Sequence, residues 1–280
     1  MLAKSIVSIA VMAVAAVADR VPGRGCGTPS PSENNLADAS FMNETETAAI
    51  AAGKMIRKAE IEIPVYVHVV ASSTKLQDGY LTKDLIQGQL DVLNSDYAGS
   101  GFTFSLKATD YTVNSNWARD RSEMSMKRSL RKGDYGTLNL YFQPYVSGYL
   151  GYCYFPESGV TQGSSDWYRD GCTILAGTVP GGWESPYTGG RTATHEIGHW
   201  LGLYHTFEGY SCTGKGDYIS DTPAELSEAF ECPVNRDSCP DQEGLDPIRN
   251  FMDYTDDSCM EEFTPGQWTR MQSYYTTYRS

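Results

Sequence analysis

The chain has 280 residues, 40% of them hydrophobic and 20% charged, and a formal charge of −13. That length holds one large domain, or two small ones, together with processing segments, and the apolar fraction permits a sizeable core. The acidity excludes a nucleic-acid binder, which needs basic clusters to neutralise phosphates, and no run reaches the roughly 18–20 apolar residues of a membrane span.

The first residues read as a secretory signal. Lys4 supplies a positive start, residues 5–15 are apolar, and Ala16-Val17-Ala18 gives a small-x-small pattern before Asp19. Residues 1–18 are therefore expected to be cleaved and the protein to be secreted, extracellular and membrane-free, with its seven cysteines in an oxidising compartment. Residues 19–58 are rich in Pro, Gly, Ser, Asn and Ala and lack sustained periodicity. They carry Cys26 and the sequon Asn43-Glu44-Thr45, a glycan acceptor of an exposed segment. The basic cluster Lys54, Arg57, Lys58 ends this region and reads as the cut site of a propeptide, the alternative being a flexible extension.

A regular pattern begins at Ile61. Residues 61–70 are β-branched and alternate as a strand, with Pro64 near its start. Leu85, Ile86, Leu90, Leu93 and Tyr97 recur at helical spacing behind Thr82 as a cap. Phe102, Phe104 and Leu106 suggest a second strand, and residues 121–132 an amphipathic helix closed by Gly133. Leu138, Leu140 and Phe142 suggest a third strand, residues 148–155 a fourth, and residues 172–176 a fifth. This order implies an α/β layered subdomain. From Phe207 to Glu262 the chain is loop-rich and cysteine-rich, with 15 acidic residues against Lys215, Arg236 and Arg249. A solvated acidic surface explains most of them, and calcium, which takes oxygen ligands, is the sharper reading. A last helix follows, with Thr264 as cap, Pro265 at its first position and Gln267 closing a capping box.

The decisive segment is residues 195–205, HEIGHWLGLYH. Helix positions four apart share a face, so His195 and His199 can hold one metal ion. Glu196 sits about 100° round, close enough to act on a water at that ion as general base without ligating it. Continuing the helix would carry His205 roughly 240° away from His199. The chain must therefore turn between them, at Gly202, which tolerates a left-handed conformation. Three imidazoles and an open fourth position define a catalytic zinc site rather than a closed structural one. Of the four histidines in the chain, only His68 lies outside this motif, in mid-strand, where a packed or surface role suffices. The reading is a zinc metalloendopeptidase, with one catalytic Zn2+, acting on protein or peptide substrates and expected to be monomeric. An inactive binding protein would have no use for Glu196, and a disulfide-stapled structural domain leaves the histidines unexplained.

The extended motif resembles the metzincin zinc peptidases, which carry a methionine turn below the metal. Residues 250–254, NFMDY, look like that turn, with Met252 as its apolar floor. Together with residues 199–207 and Cys259-Met260, they are similar to the pappalysin family, in particular its secreted fungal extracellular metalloproteases. The resemblance runs from about residue 61 to 270 and implies an α+β fold split by a cleft. A twisted mixed five-stranded sheet with two helices would lie above, and an irregular disulfide-bonded subdomain with a C-terminal helix below, so that residues 59–280 form the catalytic domain. It implies Tyr254 as transition-state stabiliser, and the bridges Cys212–Cys239 and Cys232–Cys259, which leaves Cys153–Cys172. Asp217 and Asp221 are implied as calcium ligands. Residues 148–153 are the candidate upper rim, where an extended substrate would add as a strand. Some members favour a basic residue after the scissile bond through an acid just before the post-turn cysteine. That position is Ser258 here, preceded by Asp256 and Asp257.

Cys26 is the odd cysteine. Its setting, residues 24–29, RGCGTP, is similar to the cysteine-switch segments of latent metzincin precursors. A thiolate bonds zinc at about 2.3 Å and, as a fourth ligand, would exclude water, while the flanking glycines let the backbone enter a narrow cleft. The plainer alternative is an unpaired or intermolecular cysteine in a tail.

Overall fold

The computed structural model describes residues 25–51 and 60–280. The signal reading and the basic cluster at 54–58 lie outside the described residues.

The strands are β1 (Ile61–Ala71), β2 (Phe102–Val113), β3 (Leu138–Gln143), β4 (Gly151–Tyr152) and β5 (Cys172–Leu175). They form one sheet in the order β2-β1-β3-β5-β4. β1 pairs parallel with β2 and β3, β3 pairs parallel with β5, and β4 runs antiparallel to β5. The sheet is mixed and five-stranded, as the resemblance implies. β3, in the middle, is buried at every residue, which is why both of its faces are apolar or paired. Pro64 is tolerated because β1 meets β3 only from Val65 onward.

One face of β1, with Ile63, Val65, Val67 and Val69, packs into the main core with Ile86, Leu90 and Leu93 of α2 (Lys83–Asp96). Thr82 caps α2 by accepting the Leu85 N–H. The other face carries Val70 and Tyr141, covered by Met126 of α3 (Glu123–Leu130). Buried His68 stacks on Tyr141 and bonds Asp110 and Asn139 through its two ring nitrogens, so it is a packing histidine. A short α4 (Ser165–Arg169) leads into β5.

Three expectations change. Leu106 is 37% exposed, because a register shift between Val65 and Tyr66 breaks the alternation of β2 there. The fourth strand shortens to Gly151–Tyr152, because Gly148 turns the chain at φ 87° and β4 is the sheet's edge. The region before residue 58 holds a helix, α1 (Glu33–Ala51), in place of aperiodic chain. Ser32 and Asn35 cap its start reciprocally, and its anchors, Leu36 and Ala39, pack on Phe155, Tyr204 and Tyr218. So narrow an apolar stripe leaves little periodic signal. The sequon residue Asn43 therefore lies half-buried on a helix rather than on an exposed loop.

Residues 206–264 contain no helix or strand. Cys212–Cys239 and Cys232–Cys259 staple them, each closing a 27-residue separation. In the chain-entropy view each bridge contributes about 3–4 kcal/mol, substantial where regular core is missing. Arg236 ties the same region together, pairing with Glu225 and Asp246 and donating to the Ser227 and Glu228 carbonyls. α6 (Pro265–Tyr274) closes the chain behind a complete Thr264–Gln267 capping box, followed by a wider turn over Tyr275–Arg279. Arg279 lies over the Trp200 ring and bonds the Trp200 carbonyl and Asp170, fixing the C-terminus under the central helix.

Candidate metal centre and cleft

α5 (Arg191–Trp200) carries the motif and is buried from Thr192 to Trp200. Gly190 leads into it at φ 85°, and Asp257 accepts the N–H groups of Gly189 and Arg191 at 2.7 and 3.2 Å. A carboxylate at a helix N-terminus is favoured by the helix dipole. The helix ends in a Schellman turn, with Leu203 N–H on the Gly198 carbonyl and Gly202 N–H on the His199 carbonyl. Gly202 stands at φ 94°, and a Cβ there would reach 2.5 Å from the Tyr274 ring, so the position requires glycine twice over. The turn brings His205 back beside its partners.

The His195 Nδ1–H donates to the Phe251 carbonyl and the His199 Nδ1–H to the Leu203 carbonyl, both at 2.7 Å. Each bond holds the ring proton on Nδ1, so that Nε2 of His195 and of His199 offers its lone pair. His199 Nε2 then lies 3.2 Å from His195 Nε2 and 3.1 Å from His205 Nε2. A tetrahedral ion with nitrogens at about 2.0–2.1 Å keeps them roughly 3.3–3.4 Å apart, so the spacing of the three nitrogens fits zinc. Burial pulls the His199 imidazole down to about 4 and His205 well below its ordinary value, keeping both in the neutral state that ligates.

Met252 lies fully buried below the helix. A Cβ on Gly198 would overlap its Sδ, so this glycine, which sequence reasoning passed over, is what lets the methionine approach. The Asn250 amide pairs reciprocally with Gln267 of α6 and accepts the Met252 N–H, fixing the turn to the last helix. The Tyr254 ring stands 5.0 Å from His205 and 5.7 Å from His195.

The N-terminal segment enters this site. Cys26 bridges Gly151 in parallel, Gly27 N–H donates to the Gly151 carbonyl and Leu150 N–H to the Gly25 carbonyl. Cys26 Sγ and one nitrogen of each histidine all lie within 4.8 Å of one another, the one such group of metal-binding side chains among the described residues. Burial, then the Glu196 charge, pushes the thiol up from its ordinary value, and a dication at that point inverts the order. Sγ is 3.4 Å from Glu196 Oε2, and the backbone of Cys26 hydrogen-bonds the Tyr254 phenol. Thr28 was not foreseen. Its hydroxyl donates to Glu196 Oε2 at 3.0 Å and accepts the Cys153 N–H at 2.9 Å. The available signal was its place two residues after Cys26, on the same side of an extended chain. Gly151 admits this contact, because a Cβ there would lie 2.8 Å from Glu196 Cγ.

Cys153 is bonded to Cys172, the residue facing it across the β4–β5 register. Asp221 accepts Thr264 Oγ1 and the Gly266 N–H at the start of α6, both at 2.8 Å, and Asp217 is buried, with Oδ1 accepting the Ile219 N–H. Asp221 thus anchors the start of α6. Asp257, engaged at the start of α5, likewise has a structural task.

A mixed sheet above a cleft, two helix-borne histidines joined by a third beyond the turn, and a methionine below them define a metzincin-type metallopeptidase. The family model described as pregnancy-associated plasma protein-A peptidases matches residues 150–276, and the chain belongs to that family of metalloendopeptidases. It is 54% identical to an extracellular metalloprotease of Sordaria macrospora over 268 residues, covering 96% of this chain and 93% of the relative. A Neurospora crassa extracellular metalloprotease is 53% identical over the same shares. Among solved structures, mature mirolysin of Tannerella forsythia in complex with a cleaved peptide superposes with TM-score 0.65 at 29% identity, covering 78% of this chain and 93% of that one. A promirolysin mutant superposes with TM-score 0.68 at 28% identity, covering 91% and 94%.

Proposed function

We propose that the chain is a secreted endopeptidase, made as a latent precursor, whose single zinc is held by His195, His199 and His205. The convergence of the three Nε2 atoms carries this reading. Zinc, when bound, supplies a Lewis acid that brings water near neutral pKa and polarises a peptide carbonyl. Glu196, beside the trio, takes the proton from the attacking water and returns it to the leaving amine. Tyr254 donates its phenol to the developing oxyanion, the kind of contact that matters most in the transition state. The edge strand β4 offers backbone groups to an extended substrate, in the place now taken by residues 25–28. Mirolysin's complex with a cleaved peptide supports peptide binding in such a cleft.

Latency rests on residues 19–58 as a propeptide cut near residues 54–58. Cys26 would complete the ligand set of a bound zinc, and Thr28 holds the carboxylate that must accept the proton. The wider match to the promirolysin mutant, 91% of this chain against 78% for the mature form, supports a precursor that includes the N-terminal segment. Relatives named as extracellular support secretion.

The test uses the purified full chain. It should contain about one zinc per chain, cleave casein only after a cut near residues 54–58, and lose that activity to a chelator. Glu196→Ala should keep zinc and lose hydrolysis, whereas His205→Ala should lose zinc. Chelator-insensitive cleavage, or loss of zinc in Glu196→Ala, would overturn the assignment.

A further inference from the structure

Four buried residues of α1, Asn35, Ala39, Met42 and Glu46, recur at spacings of four, three and four, which puts them on one face of the helix. That face sits in a groove walled by the rest of the chain. One part of the wall is aromatic, with Leu36 and Ala39 against Phe155, Tyr204 and Tyr218. Another part is cationic. Buried Arg270 donates through Nε and Nη2 to Glu46, and through Nη2 to the Tyr218 carbonyl. Lys215 donates to Ser40 Oγ at 2.9 Å with its Nζ 5.4 Å from the Tyr218 ring centre, and the Tyr278 hydroxyl donates to Asp38 at 2.7 Å. The helix itself carries Glu33, Asp38, Glu44 and Glu46 and no basic residue. Helix and groove are therefore complementary in charge.

When residues 19–58 are removed, as the propeptide reading above requires, Arg270 loses Glu46. Asp217 is near enough to feel the guanidinium charge, but it is buried with Oδ1 on the Ile219 N–H. A buried guanidinium without its counter-ion is costly, and a carboxylate presented from a helix relieves that cost. The groove also adjoins the metal centre, because Phe155 stands edge-on to the His199 ring at 5.5 Å. Residues 27–32 join Cys26 to α1, a stretch that reaches at most about 20 Å when extended. We propose that the emptied groove is an exosite for an acidic helix of a protein substrate, held there while a neighbouring segment of the same substrate lies in the cleft. Tethering turns the second contact into an intramolecular one and raises the local concentration of the scissile segment. The proposal rests on the endopeptidase reading and adds a substrate class to it: proteins with carboxylates about two turns apart on a helix face whose intervening residues are small or apolar.

The experiment uses the full chain, loaded with zinc and cut near residues 54–58, with mass spectrometry recording whether residues 19–53 have left. The probe is a labelled synthetic peptide of residues 33–51, beside a neutral copy with Asp38→Asn and Glu46→Gln. On cut Glu196→Ala the acidic peptide should bind about tenfold or more tightly than the neutral copy, the scale of losing one partner of a desolvated charge pair. Arg270→Gln should bring the two within about twofold. Lys215→Glu, a surface change that spares the buried guanidinium, should weaken the acidic peptide and not the neutral one. Joined through a six-residue spacer to either end of a fluorogenic peptide, the acidic helix should lower KM by about tenfold with the cut wild type at one of the two ends, and the neutral copy should not. Equal Kd values for the two peptides would overturn the exosite. So would a Kd contrast without any change in KM, which would make the groove a seat for the prosegment only. Absence of any hydrolysis with the Kd contrast intact would count against the endopeptidase reading, and residues 19–53 still bound after the cut would count against the propeptide reading and the exosite with it.

Discussion

The Thr28 hydroxyl donates to Glu196 Oε2 at 3.0 Å while accepting the Cys153 N–H at 2.9 Å, so one side chain of the N-terminal segment joins the Glu196 carboxylate to the end of the edge strand. Cys26→Ser should therefore produce an uncut precursor that cleaves a fluorogenic peptide. Thr28→Val, which removes the donor but keeps the thiol, should leak less than Cys26→Ser and more than wild type. A Thr28→Val precursor as silent as wild type would assign latency to the thiol alone.

Gly198 and Met252 are a fitted pair. Alanine is the better helix former by about 1 kcal/mol, but its Cβ would overlap the buried Met252 Sδ, and overpacking of that kind costs about 1–3 kcal/mol. Gly198→Ala should lower the Tm and the zinc occupancy. The double variant Gly198→Ala/Met252→Ala should lose less than the two single losses added, since each residue sets the space of the other. Strict additivity in thermal unfolding would contradict this.

Glu46 accepts from Arg270 Nε and Nη2 at 3.0–3.2 Å, with side chains 11% and 1% exposed. Removing one member of a buried pair costs about 3–5 kcal/mol, because the other charge stays behind. Glu46→Gln should loosen α1 and speed proteolysis within residues 33–51 of the precursor, with the cut enzyme's peptidase activity unchanged. Equal protection in both proteins would show that the helix is held by its apolar contacts alone.

The sequence disclosed the chemistry better than its guard. HEIGHWLGLYH fixes which nitrogens meet and where the helix must break, because helical period and glycine's freedom are local properties. The five strands were legible from alternation, except where the bulge exposed Leu106 and the edge shortened β4. The disulfides came from resemblance, since spacing does not choose partners. α1 escaped because most of its contacts are long-range, Glu46 to Arg270 and Asp38 to Tyr278 among them. Such pairings have no periodic trace in sequence.

The lower subdomain should be pH-sensitive. Glu225 accepts Thr206 Oγ1 at 2.6 Å and pairs with Arg236, which also serves Asp246, and Asp253 lies near enough to repel it. Burial, then the Asp253 charge, raises the Glu225 carboxyl above its ordinary value. The folded chain therefore holds this proton more tightly than the unfolded chain does. Its stabilising contribution is complete below the ordinary glutamate range and is lost as pH rises through the raised pKa. The Tm of wild type should fall from mildly acidic to alkaline pH more steeply than that of Glu225→Gln. Parallel Tm–pH curves would contradict the shift.

On the function proposed above, three histidines hold the zinc and Cys26 completes its coordination in the precursor. Zinc-edge X-ray absorption on the intact chain and on the chain cut near residues 54–58 reads the ligand set directly. One sulfur at about 2.3 Å with three nitrogens at about 2.0–2.1 Å is expected before the cut, and loss of the sulfur shell after it. A precursor spectrum without sulfur, or one unchanged by the cut, would contradict it.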